Sequence, residues 1–143
     1  MLTVNVTLEQ GAVLPKYQTD GSAGMDLHSI EEAELAPMER KLVRTGLRVQ
    51  IPAGHEGQVR PRSGLALRHG VAMVNSPGTI GSDYRGEIAV ILINLGKDAV
   101  KLKCGERIAQ LVIVPVTQAT LRPVEALDGT GRGDGGFGST GSK

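Results

Sequence analysis

The sequence predicts an all-β fold, a distorted barrel or jelly-roll-like double sheet carrying one short helix. Three observations predict it. Prolines at 15, 37, 52, 61, 77, 115 and 123, with glycines between them, leave little room for long helices, because proline lacks an amide donor and clashes inside a helix. The short runs between these breaks alternate apolar and polar residues, as half-buried strands do. Apolar residues make up 40% of the chain, yet it holds two tyrosines, one phenylalanine and no tryptophan, so its core must be aliphatic. Many short strands with closely spaced turns point to a barrel or double sheet.

Taken in order, the strand-like runs are "LTVNVTL" (2–8), "KLVRTGLRVQI" (41–51), "GQVRP" (57–61), "VAMV" (71–74), "EIAVILIN" (87–94), "AVKL" (99–102) and "RIAQLVIVPV" (107–116). "RSGLALRHG" (62–70) reads as the helix. Ser63 can cap its start, Arg68 and His69 suit its negative end, and Gly70 can take the left-handed closing conformation. "NSPGTIGSDYRGE" (75–87) reads as a turn and the start of a strand. From 129 onward the composition changes: seven glycines fall between Gly129 and Gly141, with Phe137 the only large apolar group. Such a stretch is flexible by composition, and a lone phenylalanine in it points to docking on a ligand. The division expected is a barrel domain over 1–128 and a glycine-rich arm over 129–143.

Length and charge narrow the function classes. At 143 residues the chain fits one domain. Sixteen basic against fifteen acidic residues leave a formal charge of +1, which gives no support to a nucleic-acid or membrane surface. Cys104 stands alone, which excludes a disulfide framework and reads as a small buried thiol. The start lacks the pattern of a signal peptide, and runs such as "IAVILI" are too short to span a bilayer; a cytoplasmic location is expected. The three histidines, His28, His55 and His69, have no ligand spacing and read as surface or turn residues.

Several segments are suited to phosphate chemistry. "PRSG" puts Arg62 and Ser63 where a helix begins, and free amides with the helix dipole favour an anion there; read alone, the segment is better taken as a plain cap with a surface arginine. "GERIAQL" puts Arg107 and Gln110 in a strand, where Arg107 could serve a structural ion pair. "AGMDL" puts Asp26 where a metal-bound water could be held, or simply in a turn. The "RGD" at Arg132–Asp134 is fortuitous, and no P-loop pattern is present.

In this order, "AGMDL" (23–27), "PRSGLA" (61–66), "NSPGTIGSDYRGE" (75–87), "GERIAQL" (105–111) and "RGDGGFGSTG" (132–141) resemble the five motifs of the trimeric dUTPase family, from end to end of the chain. The resemblance implies a homotrimer with shared active sites and a substrate, dUTP, hydrolysed to dUMP and pyrophosphate with Mg²⁺. It implies that Asn75, Thr79, Ile80 and the backbone near Ala89 receive uracil in a hairpin. Tyr84 would lie under the deoxyribose and exclude a 2′-hydroxyl, with Phe137 stacking on the base. Arg132, Ser139 and Thr140 would hold the γ-phosphate, where a guanidinium fork suits phosphate oxygens, with Gly138 among the substrate-binding residues of the arm. Ser63, Gly64 and Gln110 would meet the inner phosphates, with Arg62 and Arg107 bracing them. Asp26 would reach Mg²⁺ through water, as suits a cation reluctant to dehydrate.

One position departs from the pattern. Where the family has the aspartate that deprotonates the attacking water, "TIGSDY" has Gly81. The resemblance therefore implies an impaired hydrolase or, alternatively, a catalytically silent dUTP-binding sensor. Asp83, at a position the family fills variably, is not expected to substitute. Glycine there could also simply ease the turn through a positive φ. The related dCTP deaminases carry a catalytic glutamate where Ile91 stands, so deamination is not expected.

Overall fold

Alternation in the sequence becomes two sheets around one aliphatic core. The computed structural model describes residues 1–142, so Lys143, the last residue assigned to the arm, lies outside the described residues. Among the described residues ten strands occur: β1 (Asn5–Leu8), β2 (Met25–His28), β3 (Ala33–Leu35), β4 (Arg40–Gln50), β5 (His55–Arg60), β6 (Val71–Met73), β7 (Gly78–Ile80), β8 (Glu87–Asn94), β9 (Val100–Leu102) and β10 (Arg107–Pro115). One helix, α1 (Ser63–His69), interrupts them. Every pairing is antiparallel. One sheet runs β1-β4-β8-β6, a second β2-β10-β5-β7, and β3 pairs with β9.

The core joins both large sheets: Leu27 and Leu111 from the second pack into the same cluster as Val43, Leu47, Ile88 and Val90 from the first. Each such side chain, fully removed from water, contributes about 1.5–3 kcal/mol, an upper figure for a chain already partly collapsed when unfolded. Strand β8 shows the period of two most clearly. Ile88, Val90, Leu92 and Asn94 are buried, and Glu87, Ala89, Ile91 and Ile93 between them are half-buried. Its outward row is thus apolar too, and Leu42, opposite Ile91, remains 62% exposed.

Several local expectations need correction. Strands β2, β3 and β7 have four, three and three residues, too short for alternation to register, and Asp26 therefore lies in a strand rather than a turn. The residue at the cap of α1 is Arg62, which makes no side-chain cap hydrogen bond; Ser63 is already helical. Gly70 closes the helix at φ 68° as expected. Cys104 is exposed rather than buried, its thiol donating to the Ile30 carbonyl at 3.2 Å. His28 and His55 are half-buried strand residues, each with a buried Nδ1 that lacks a partner. Finally, β7 and β8 form no hairpin: β7 pairs with β5 in the second sheet, whereas β8 pairs with β4 and β6 in the first.

Candidate functional site

The β2–β10 pairing sets Gln110 opposite Asp26, and a register shift between Arg107 and Ala109 brings Arg107 to the same neighbourhood. Asp26 is 2% exposed, and a carboxylate so deep must be matched by charge and hydrogen bonds. Arg107 Nη1 donates to its Oδ2 at 3.2 Å and Gln110 Nε2 to its Oδ1 at 3.2 Å, while Arg62 Nε lies 3.5 Å from Oδ1. Arg62 Nη1 also donates to the Arg107 carbonyl at 3.2 Å. The structural ion pair considered for Arg107 is therefore present. Asp26 anchors two guanidinium groups beside the start of α1, where Ser63 is exposed and Gly64 half-buried. The result is a positively charged shelf with its counter-charge underneath. His28, two residues along β2, has its imidazole pulled below the ordinary histidine value, chiefly by burial.

The segment after β7 is shaped by backbone. The Tyr84 amide donates to the Gly81 carbonyl at 3.1 Å, closing a tight turn. Arg85 Nη1 donates back to the Ser82 and Tyr84 carbonyls at 2.8 and 3.0 Å, and Arg48 Nη1 donates to the Arg85 carbonyl at 3.1 Å. Tyr84 donates its hydroxyl to the Glu87 carbonyl at 2.9 Å, laying its ring across Gly86. A Cβ on Gly86 would meet Tyr84 Cε2 at 2.8 Å and the phenol oxygen closer still. Gly86 is thus the seat of the ring, a role the sequence reading missed. Its only trace in the chain is a glycine two residues after the tyrosine.

At Gly81 the easing of the turn fails as an explanation. Its φ is not among the positive ones, so the backbone there suits any L-residue. A Cβ added to it would have one heavy atom other than its chain neighbours within 4 Å, Asp83 Oδ1 at 2.9 Å.

The other expected residues are scattered. Asn75 and Thr79 are exposed, and Ile80 packs against the core. Ala89 lies on β8, opposite Arg44. In the arm, Arg132 Nε donates to the Gly135 carbonyl at 2.8 Å, and Ser139 and Gly141 amides close successive turns onto Gly136 and Gly138. Phe137 is wholly exposed at φ 51°; Gly138, Ser139 and Thr140 are exposed as well. Among the described residues, no hydrogen bond or ion pair joins the Asp26 group to Gly81–Tyr84 or to the arm. The first two groups occupy opposite edges of the second sheet, β2 and β7, three strand spacings or roughly 14 Å apart. No group of three potential metal-ligating side chains occurs among the described residues. No helix among them is long and apolar enough to cross a membrane.

Two packed sheets, with an arginine pair held on Asp26 at one edge and a tyrosine laid on glycine at the other, define an all-β protein. Comparison with known proteins then fixes the family. The dUTPase family model matches residues 10–141, and the chain belongs to that family. It is 65% identical over 128 residues to the deoxyuridine 5'-triphosphate nucleotidohydrolase of Anaeromyxobacter sp. (strain Fw109-5), covering 90% of this chain and 87% of that one. Its structure is similar to that of the Staphylococcus bacteriophage 80alpha dUTPase solved with dUpNHpp, with a TM-score of 0.91 at 28% identity over 97% and 98% of the two chains. That phage protein is described as controlling transfer of virulence genes by a G protein-like mechanism. It was also solved with dUpNHpp as two separate variants, one with an aspartate changed to asparagine and one with a tyrosine changed to phenylalanine, at positions three apart. A variant of the dUTPase from phage phi11 of S. aureus, described for its coordination of a structural Mg(II) ion, is similar at a TM-score of 0.81 and 25% identity, over 87% and 97% of the chains.

Proposed function

We propose that this chain is a dUTP diphosphatase that takes the Mg²⁺ complex of dUTP and releases dUMP and pyrophosphate, keeping free dUTP low in the cytoplasm. The observation that carries this reading is the end-to-end likeness to proteins named deoxyuridine 5'-triphosphate nucleotidohydrolases. The magnesium arrives with the triphosphate and neutralises charge that develops on it. Arg62 and Arg107, held on Asp26, brace the inner phosphates, which Ser63, Gly64 and Gln110 contact. Asp26 would hold a water of the magnesium ion, whose charge would steady the triphosphate. Asn75, Thr79, Ile80 and the backbone near Ala89 hold uracil, and the Tyr84 ring lies under the sugar. Arg132, Phe137, Gly138, Ser139 and Thr140 close over base and γ-phosphate from the arm, 129–143, of a neighbouring copy.

Sharing between copies, as a homotrimer, is supported by the distance between the two sheet edges. It is supported also by apolar surface left uncovered in one chain: the outward row of β8, Leu42, and Leu121, Leu127 and Phe137 beyond the last strand, at 89, 88 and 114% exposure.

Gly81 sets the level of activity. The phage relative's altered aspartate and tyrosine have the same spacing as Gly81 and Tyr84 here, which supports reading Gly81 as the seat of a missing carboxylate. Without a carboxylate at position 81 the chemical step slows by roughly two to four powers of ten, while binding and electrostatic positioning persist. The test is pyrophosphate release from Mg·dUTP: Gly81→Asp should accelerate it by roughly 100- to 10,000-fold. Equal fast turnover in both forms would show the base to lie elsewhere. A second reading, a dUTP-binding sensor, draws on the regulatory description of the phage relative; a protein partner captured only with dUpNHpp present would favour it.

A further inference from the structure

We infer that the slow turnover of this chain is carried by Asp83, which receives the water's proton in place of the side chain missing at Gly81. The inference rests on the proposed dUTP hydrolysis. An aspartate at position 81 would hold its carboxylate oxygens roughly 2.4 Å from its own Cβ by standard bond lengths and angles. Asp83 Oδ1 lies 2.9 Å from that Cβ position. An Asp83 carboxylate oxygen therefore lies beside the point from which a side chain at residue 81 would project, about half an ångström farther from that Cβ than an aspartate's own oxygens would be. The turn closed by the Tyr84 amide on the Gly81 carbonyl folds Asp83 back over Gly81 in this way.

The carboxylate is also free to act. Among the described residues no hydrogen bond or ion pair engages it, whereas Asp26 is bound by Arg107 and Gln110 with Arg62 alongside, and Glu87 is held by Arg44 and the Gly46 amide. Asp83 is exposed and, with Gly81 and Thr79, borders an open cavity of about 510 Å³. Water can reach it. In the step assigned here, the water oxygen forms a bond to the α-phosphorus and passes one proton to Asp83. The bond from that phosphorus to the bridging oxygen breaks, and pyrophosphate leaves with the bonding pair. Asp83 then returns its proton to solvent.

The test is a double-mutant cycle in the full-length chain, read by pyrophosphate release from Mg·dUTP and by calorimetry with dUpNHpp. Asp83→Asn alone should lower turnover about tenfold or more, with dUpNHpp affinity held within about threefold. In the Gly81→Asp chain the same change should cause a loss at least about tenfold smaller, because the nearer carboxylate then takes the proton. Asp83→Glu should retain part of the rate that Asp83→Asn removes. Unchanged turnover after Asp83→Asn, or the same fold-loss in both backgrounds, overturns the inference. So does a parent chain with no turnover beside a fast Gly81→Asp form. If neither form binds dUpNHpp or releases pyrophosphate, the dUTP hydrolysis itself is withdrawn and this inference with it, an outcome set apart by the missing binding.

Discussion

At the β2 edge of the second sheet, charges hold one another: a carboxylate at 2% exposure ties down two arginines and a glutamine. At the β7 edge, what matters is where side chains are missing, since Gly86 gives Tyr84 its seat and a Cβ on Gly81 would meet Asp83 Oδ1 at 2.9 Å. The first arrangement fixes position through electrostatics in a desolvated setting, where a lost partner is felt strongly. The second fixes it through steric allowance, where an added atom does the damage. The two edges should therefore fail in opposite ways, one to truncation and the other to enlargement.

The largest effect on the β2 side comes from Asp26→Ala. It removes the anchor of both guanidinium groups, which then rehydrate, and should lower folding stability by about 2 kcal/mol. A shift of the urea midpoint at constant slope would show it; an unmoved midpoint would mean the arginines hold without it. On the β7 side Gly86→Ala should leave stability nearly intact yet drive the Tyr84 ring from its seat. The expected readout is about a tenfold loss in the preference for dUTP over UTP, measured as a ratio of kcat/KM values. Unaltered selectivity would separate the ring from sugar discrimination.

A smaller effect comes from His28. Its folded pKa lies below the unfolded value of about 6.5, mainly through burial. Between those two values the unfolded chain binds more protons, so stability rises with pH there. The contribution is complete above about pH 6.5 and is lost as pH falls toward the folded pKa. His28→Gln should flatten that part of the stability profile in metal-free, nucleotide-free protein. Smallest is Ser63→Ala: because Ser63 makes no cap bond, its stability effect should stay under about 0.5 kcal/mol, below the usual loss for a true cap. A loss near 1 kcal/mol would place the cap at Ser63 after all.

Long strands were legible in the chain because eleven residues in β4 and eight in β8 are enough to display alternation. Of the three- and four-residue strands, β1, β6 and β9 fell in runs set off by turn residues, whereas β2, β3 and β7 were not legible, because two or three apolar positions fit any period. Asp26, Arg62, Arg107 and Gln110 were nameable from motif order, but their joining as one cluster follows from the β2–β10 register, which no local pattern encodes. The glycines divide in the same manner. Gly70 ends a helix in a recognisable context, whereas the use of Gly86 depends on a ring folding back from Tyr84 and is visible only in three dimensions. Cys104 was misjudged on residue type alone; its turn between β9 and β10 faces outward.

Strand β4 carries one further lesson in its register shift between Arg44 and Leu47. The Gly46 amide donates to Glu87 Oε1 at 2.7 Å, Arg44 Nε to Glu87 Oε2 at 3.1 Å, and the Thr45 hydroxyl reaches the Ile88 carbonyl. A slip of one residue in such a pairing would turn every side chain to the opposite face. Glu87 thus works as a rivet driven through two parts at once: it terminates the loop that carries Tyr84 and locks the alignment that decides which isoleucines of β8 point outward. Slackening it would shift the loop that carries Tyr84 and the outward row of β8 together, by a single mechanical cause.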